Sequence, residues 1–85
     1  MLRYRKAYVS MVLQIKENGE KKPLYLIWED GKKYQVDRVK NIAPAAAMKA
    51  GGRGMRYTLV ISGRDRNFFE CDGRWFTEVP LLTTL

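Results

Sequence analysis

From Tyr4 to Lys16 the side chains alternate: the odd positions read Arg5, Ala7, Val9, Met11, Leu13 and Ile15, and the even positions Tyr4, Lys6, Tyr8, Ser10, Gln14 and Lys16, with Val12 the exception. A helix would scatter these apolar residues around its circumference, whereas a strand places every second side chain on one face. The segment is therefore a long strand with one buried face, and its phase sets half of the core, because a slip of one residue would turn the whole apolar row to solvent. Asn18-Gly19 offers the positive φ angles of a tight reversal into Leu24-Tyr25-Leu26-Ile27-Trp28, and Asp30-Gly31 a second one into Lys33-Tyr34-Gln35-Val36-Asp37. Three strands form a meander.

After Val39 the pattern breaks. Pro44-Ala45-Ala46-Ala47-Met48-Lys49-Ala50 combines good helix formers with an early proline, a late cation and Gly51 at a capping position, which predicts one short helix near residues 44–50. Two turns of helix are unstable alone, so this one is expected to lie against the sheet through its alanines. Alternation resumes at Met55, Tyr57, Leu59 and Ile61. Gly63-Arg64-Asp65-Arg66 reads as a turn, Asn67–Cys71 as a strand, Asp72-Gly73 as a tight turn, and Arg74–Val79 as a last strand ended by Pro80. Trp28–Tyr34 and Glu70–Phe76 echo each other as two hairpins of the same turn chemistry. The expected fold is all-β: six antiparallel strands and one short helix, as a small barrel or a sandwich of two meanders, an SH3-like barrel among the options. Its expected core is Val9, Met11, Leu13, Leu24, Leu26, Trp28, Val36, Tyr57, Leu59 and Ile61.

Eighty-five residues make one domain, able to bury roughly 60–65% of its unfolded surface. A hydrophobic content of 46%, with two tryptophans, five tyrosines and three phenylalanines, is too rich for a disordered chain. Uncharged stretches fall far short of the ~18–20 apolar residues of a membrane span, and Met1–Lys6 is not followed by the apolar core of a signal peptide, so a cytoplasmic protein without membrane association is expected. A single cysteine, Cys71, precludes an internal disulfide and reads as a small core residue. The absence of histidine rules out Ser/His and Cys/His catalytic pairs and removes the commonest zinc ligand. Among the carboxylates, Asp30 and Asp72 serve turns, while Glu29 and Glu70 sit among cations that keep them ionised. The chain reads as a non-enzymatic protein without metal or cofactor.

Charge points toward a partner. Lysine and arginine number 16 against 9 acidic residues, for a formal net charge of +7. Between Asp37 and Asp65 there is no carboxylate, while Arg38, Lys40, Lys49, Arg53, Arg56 and Arg64 all fall inside. Such a run attracts polyanions or acidic protein surfaces without specifying which. On the outer face of the first strand Tyr4, Lys6 and Tyr8 alternate, with Arg3 and Arg5 beside them. Rings that stack on bases, interleaved with cations that hold phosphates, suit single-stranded nucleic acid, though the same pattern is ordinary decoration of a half-exposed strand. Gly51-Gly52-Arg53-Gly54 lets backbone N–H groups approach an anion, or simply caps the helix; it lacks the P-loop pattern. Arg64, Arg66 and Arg74 converge if the last hairpin brings them together, but a solvated turn with Asp65 and Asp72 as partial counterions is the reading favoured. The candidate nucleic-acid residues are Tyr4, Lys6, Tyr8, Arg38, Lys40, Arg53 and Arg56. The other reading is a protein interaction or homo-oligomerising module that uses an exposed strand edge or the tail Leu81-Leu82-Thr83-Thr84-Leu85. Residues 80–85 are a packed segment, a dimer contact or a flexible tail.

The runs Leu26-Ile27-Trp28-Glu29-Asp30-Gly31, Val36-Asp37-Arg38-Val39, Lys49-Ala50-Gly51-Gly52-Arg53-Gly54-Met55-Arg56-Tyr57, Phe68-Phe69-Glu70 and Gly73-Arg74-Trp75-Phe76 resemble a family of short proteins of unknown function from Firmicutes bacteria, over roughly residues 24–78. The resemblance implies a free-standing bacterial cytosolic domain and carries no activity or binding residues with it.

Overall fold

The computed structural model describes residues 3–45 and 53–81, and these contain strands and turns but no helix. There are seven strands: β1 (Arg3–Ile15), β2 (Lys21–Ile27), β3 (Lys33–Gln35), β4 (Arg38–Ala45), β5 (Gly54–Ile61), β6 (Arg64–Cys71) and β7 (Arg74–Leu81). They form a single antiparallel sheet in the order β3-β2-β1-β7-β6-β5-β4, not two stacked meanders. Each strand neighbours its successor in the chain except at the β3/β4 seam, and β7 returns to pair with β1. The two-residue link Val36-Asp37 spans that seam. Val36 N–H donates to the Leu24 carbonyl of β2 and Asp37 N–H to the Val60 carbonyl of β5, at 2.9 and 2.8 Å, so both edges are drawn together and the sheet curls into a half-barrel.

The expected helix is corrected at its start. Pro44 and Ala45 lie in β4, paired with Met55 and Gly54, and positions 46–50 fall outside the described residues. β4 also accounts for the extra strand. The two-residue turns are Ser62-Gly63 and Asp72-Gly73, in which all four residues have positive φ, between 51° and 79°. The reversal expected at Gly63–Arg66 therefore sits one residue earlier, and Arg64 already belongs to β6. The Asp30-Gly31 and Asp72-Gly73 hairpins do not share turn chemistry. At Asp30-Gly31 only the glycine has positive φ and the Asp30 carboxylate accepts from Lys32 N–H, as the Asn18 amide oxygen accepts from Glu20 N–H.

Pro80, expected to end the last strand, instead pairs with Tyr4 inside β7. Counting outward from the two-residue turns, Pro80 nitrogen faces away from β1 and Pro44 nitrogen away from β5. Neither ladder needs the missing donor, so both prolines are tolerated.

The concave face holds the main core: Leu26, Val36, Tyr57, Leu59, Phe68 and Trp75 are buried, with Val9, Met11, Leu13, Trp28 and Ile61 packed against them. The Tyr57 and Trp75 rings meet at 4.6 Å. One expected core residue is missing from this set. A bulge in β2 leaves Leu24 without a partner in β1, between Tyr25, opposite Val12, and Pro23, opposite Leu13, so Pro23 is buried and Leu24 is turned outward. Substituting Leu24→Ser should therefore change stability by less than about 1 kcal/mol, whereas Leu26→Ala should cost about 2–5 kcal/mol, both read from urea unfolding midpoints. A large loss at Leu24 would contradict the bulged register.

Candidate nucleic-acid interface

On the convex face, strand register aligns one row across five strands: Tyr8 of β1, Phe76 of β7, Phe69 of β6, Arg56 of β5 and Ala43 of β4. Phe69 and Phe76 stack at 5.4 Å and are buried, forming a second small cluster with Ala45 and Cys71. Tyr8 leans on Phe76 at 5.5 Å with 40% of its surface exposed. Cations decorate this platform. The Arg74 guanidinium lies 3.9 Å from the Tyr8 ring centroid, and Lys6 Nζ is 4.9 Å from that of Phe76. A desolvated ring face attracts a cation through its quadrupole and orders the long side chain above it.

The alternation of β1 thus brings Lys6 and Tyr8 together, with Tyr4 on the same face two residues away, opposite Pro80. Arg56 stands at the far end of the same row and has no ion-pair partner among the described residues. Arg38 is on this face too, opposite Val60, four β5 residues from Arg56 and so about 13 Å along the strand. Lys40 is not available as a free cation, since its Nζ pairs with Asp65 at 2.7 Å. Arg53 is exposed just ahead of β5. Arg5 leaves the group altogether. It points to the concave side and makes two 2.9 Å hydrogen bonds to Glu29.

Sequence reasoning named Arg74 only beside Arg64 and Arg66 and did not place it with Tyr8. Its signal was present, because an Asp-Gly two-residue turn fixes the pairing of β6 with β7, but the Tyr8–Phe76 register that puts Arg74 over Tyr8 joins residues 68 positions apart. Arg64 and Arg66 do not converge with Arg74: the first two pair opposite Ile61 and Leu59 on the concave face, and Arg74 is on the convex one. Gly54, read as part of an anion-approaching loop, opens β5 and lies tightly against the Glu70 backbone. Gly51 and Gly52 fall outside the described residues, as does Lys49.

One carboxylate titrates away from its usual range. The two Arg5 hydrogen bonds hold Glu29 below its ordinary value of 4.5, with partial desolvation opposing and the Arg5 charge assisting. A lowered folded-state value means that the contribution is complete above the unfolded value and is lost as pH falls through the folded one. The stability difference between the native chain and Glu29→Gln should thus be present at pH 7 and fade on acidification through the carboxylate range, in thermal melts at a series of pH values. A difference that grew toward low pH would contradict this pairing.

Among the described residues no helix is long and apolar enough to cross a membrane. The chain matches no family model, no curated protein sequence and no solved structure.

Proposed function

We propose that this is a small, non-enzymatic, basic domain that binds single-stranded nucleic acid on its convex face. The observation that carries the reading is the row Tyr8–Phe76–Phe69–Arg56 with Lys6 and Arg74 above it. The buried phenylalanines are a foundation rather than stacking surfaces. The Tyr8–Arg74 pair is what a base meets, since bases stack on tyrosine rings and on guanidinium planes alike. Lys6, Arg56 and Arg38 then lie on the same face to neutralise phosphates. Stacking on a ring and neutralisation of phosphates do not select a sequence, so binding is broad.

Affinity for a fluorescent oligonucleotide should be on the order of 10⁻⁴–10⁻⁶ M at physiological salt and should fall linearly on a log–log salt plot. Arg56→Ala should lower the slope by about 0.7 per lost phosphate contact, and Tyr8→Ala should weaken binding by about 1–3 kcal/mol with the slope unchanged. No binding at low salt would discard the reading. A pull-down that keeps its protein partners after nuclease treatment would favour an acidic protein surface instead.

A further inference from the structure

The ladder between β6 and β7 stops early. The strands pair only at Phe69–Phe76, Glu70–Trp75 and Cys71–Arg74. From there β6 continues beside β5 alone as far as Arg64, and β7 beside β1 alone as far as Leu81, so the sheet forks. At the branch point Thr77 Oγ1 donates to the Asn67 carbonyl at 2.8 Å, a side-chain bond where the strands separate.

On the concave side the fork opens into a cleft of about 700 Å³, inside the ~300–1,000 Å³ range of small-ligand sites. Its floor is apolar: Leu26 and Phe68 are buried, and Trp28 and Tyr34 border them. Its rim is cationic. Arg64 and Arg66 are two residues apart on the same face of β6, both line the cleft, and neither has a carboxylate partner among the described residues. Two like charges held about 7 Å apart beside an apolar surface repel each other and raise the local potential, and an anion between them relieves both effects. Glu78 is the one carboxylate among the lining residues, and its place in register, opposite Lys6, turns its side chain to the convex face.

We propose that this cleft binds a small aromatic carboxylate, its ring against Trp28 and Phe68 and its carboxylate held by Arg64 and Arg66. Guanidinium groups match a carboxylate with paired N–H donors, and a flat ring fits a floor built of aromatic and leucine side chains. The site lies on the face opposite Tyr8, Arg56 and Arg74, so it stands or falls independently of nucleic-acid binding.

The test uses 1-naphthoate and its uncharged isostere 1-naphthamide, titrated into the full chain and followed by backbone amide shifts, with tryptophan fluorescence as a second signal. The expected result is saturable binding of naphthoate with shifts at Thr77 and Val79, and affinity for naphthamide lower by about tenfold or more. The R64Q/R66Q double variant should abolish that preference. The R56Q/R74Q double variant, altered only on the convex face, should retain it, and Trp28→Ala should weaken both probes. Equal affinity for the two probes, a preference that survives R64Q/R66Q, a preference lost in R56Q/R74Q, or no saturable binding of naphthoate would each overturn the proposal.

Discussion

Replacing Phe76 with alanine is expected to lower the melting temperature by more than about 12 °C, or to abolish a cooperative transition altogether. Phe76 is only 2% exposed and contacts the rings of Tyr8 and Phe69 and the Lys6 ammonium group. It also forms the last β6–β7 pair before the sheet forks, so on the side of the fork no further β6–β7 pair packs beside it. Truncating a buried phenylalanine costs about 3–5 kcal/mol, and a domain of this length has a total stability of only about 4–13 kcal/mol. In a domain of this size about 1 kcal/mol moves the midpoint by roughly 4–8 °C. Phe76→Leu, which keeps most of the volume, should lose much less. Circular dichroism melts decide the matter; a shift of only a few degrees for the alanine variant would show that this small convex cluster contributes little.

Gly54→Ala is expected to destabilise, which is opposite to the usual direction. Where backbone geometry permits a side chain, Gly→Ala stabilises by about 0.4–1 kcal/mol by restricting the unfolded chain, and Gly54 does not have a positive φ. The obstacle is space. A Cβ at this position would overlap the Glu70 carbonyl oxygen and crowd the Glu70 carbonyl carbon and Cys71 Cβ. Those atoms cannot retreat easily. β6 is held by pairing with β5, and Glu70 is tied down by accepting from Gly73 N–H at 2.8 Å and by its ion pair with Lys21 at 3.6 Å. Relief requires β5 and β6 to part at the end where β6 is also paired with β7, for a cost of about 1–3 kcal/mol. An unfolding midpoint at or above that of the native chain would show that the strands can shift apart freely.

The candidate interface was partly legible in the residues. Tyr4, Lys6 and Tyr8 share a face because they alternate, and the structure keeps them there. Other parts depended on partners far along the chain. Lys40 reads as a free cation until Asp65, 25 positions away, neutralises it, and Arg74 reads as a turn residue until β7 docks beside β1. Arg64 and Arg66 were grouped with Arg74 by nearness in sequence, yet the parity of β6 and β7 sends them to opposite faces.

Local chemistry by itself determined the all-β character, the phase of β1 and β5, and, to within one residue, the places where the chain reverses, because side-chain alternation and positive φ are properties of a residue and its immediate neighbours. Leu26, Tyr57 and Leu59 are buried for that reason. Tertiary structure alone decided the strand order, the seam bridged by Val36-Asp37, and the early end of the β6–β7 ladder. It also decided whether a proline stops a strand, since Pro44 and Pro80 are harmless only where their nitrogens face away from a paired neighbour. The same holds for Leu24, whose exposure follows from one extra residue in β2 relative to β1. That bulge is a property of two strands in register, and neither strand contains it alone.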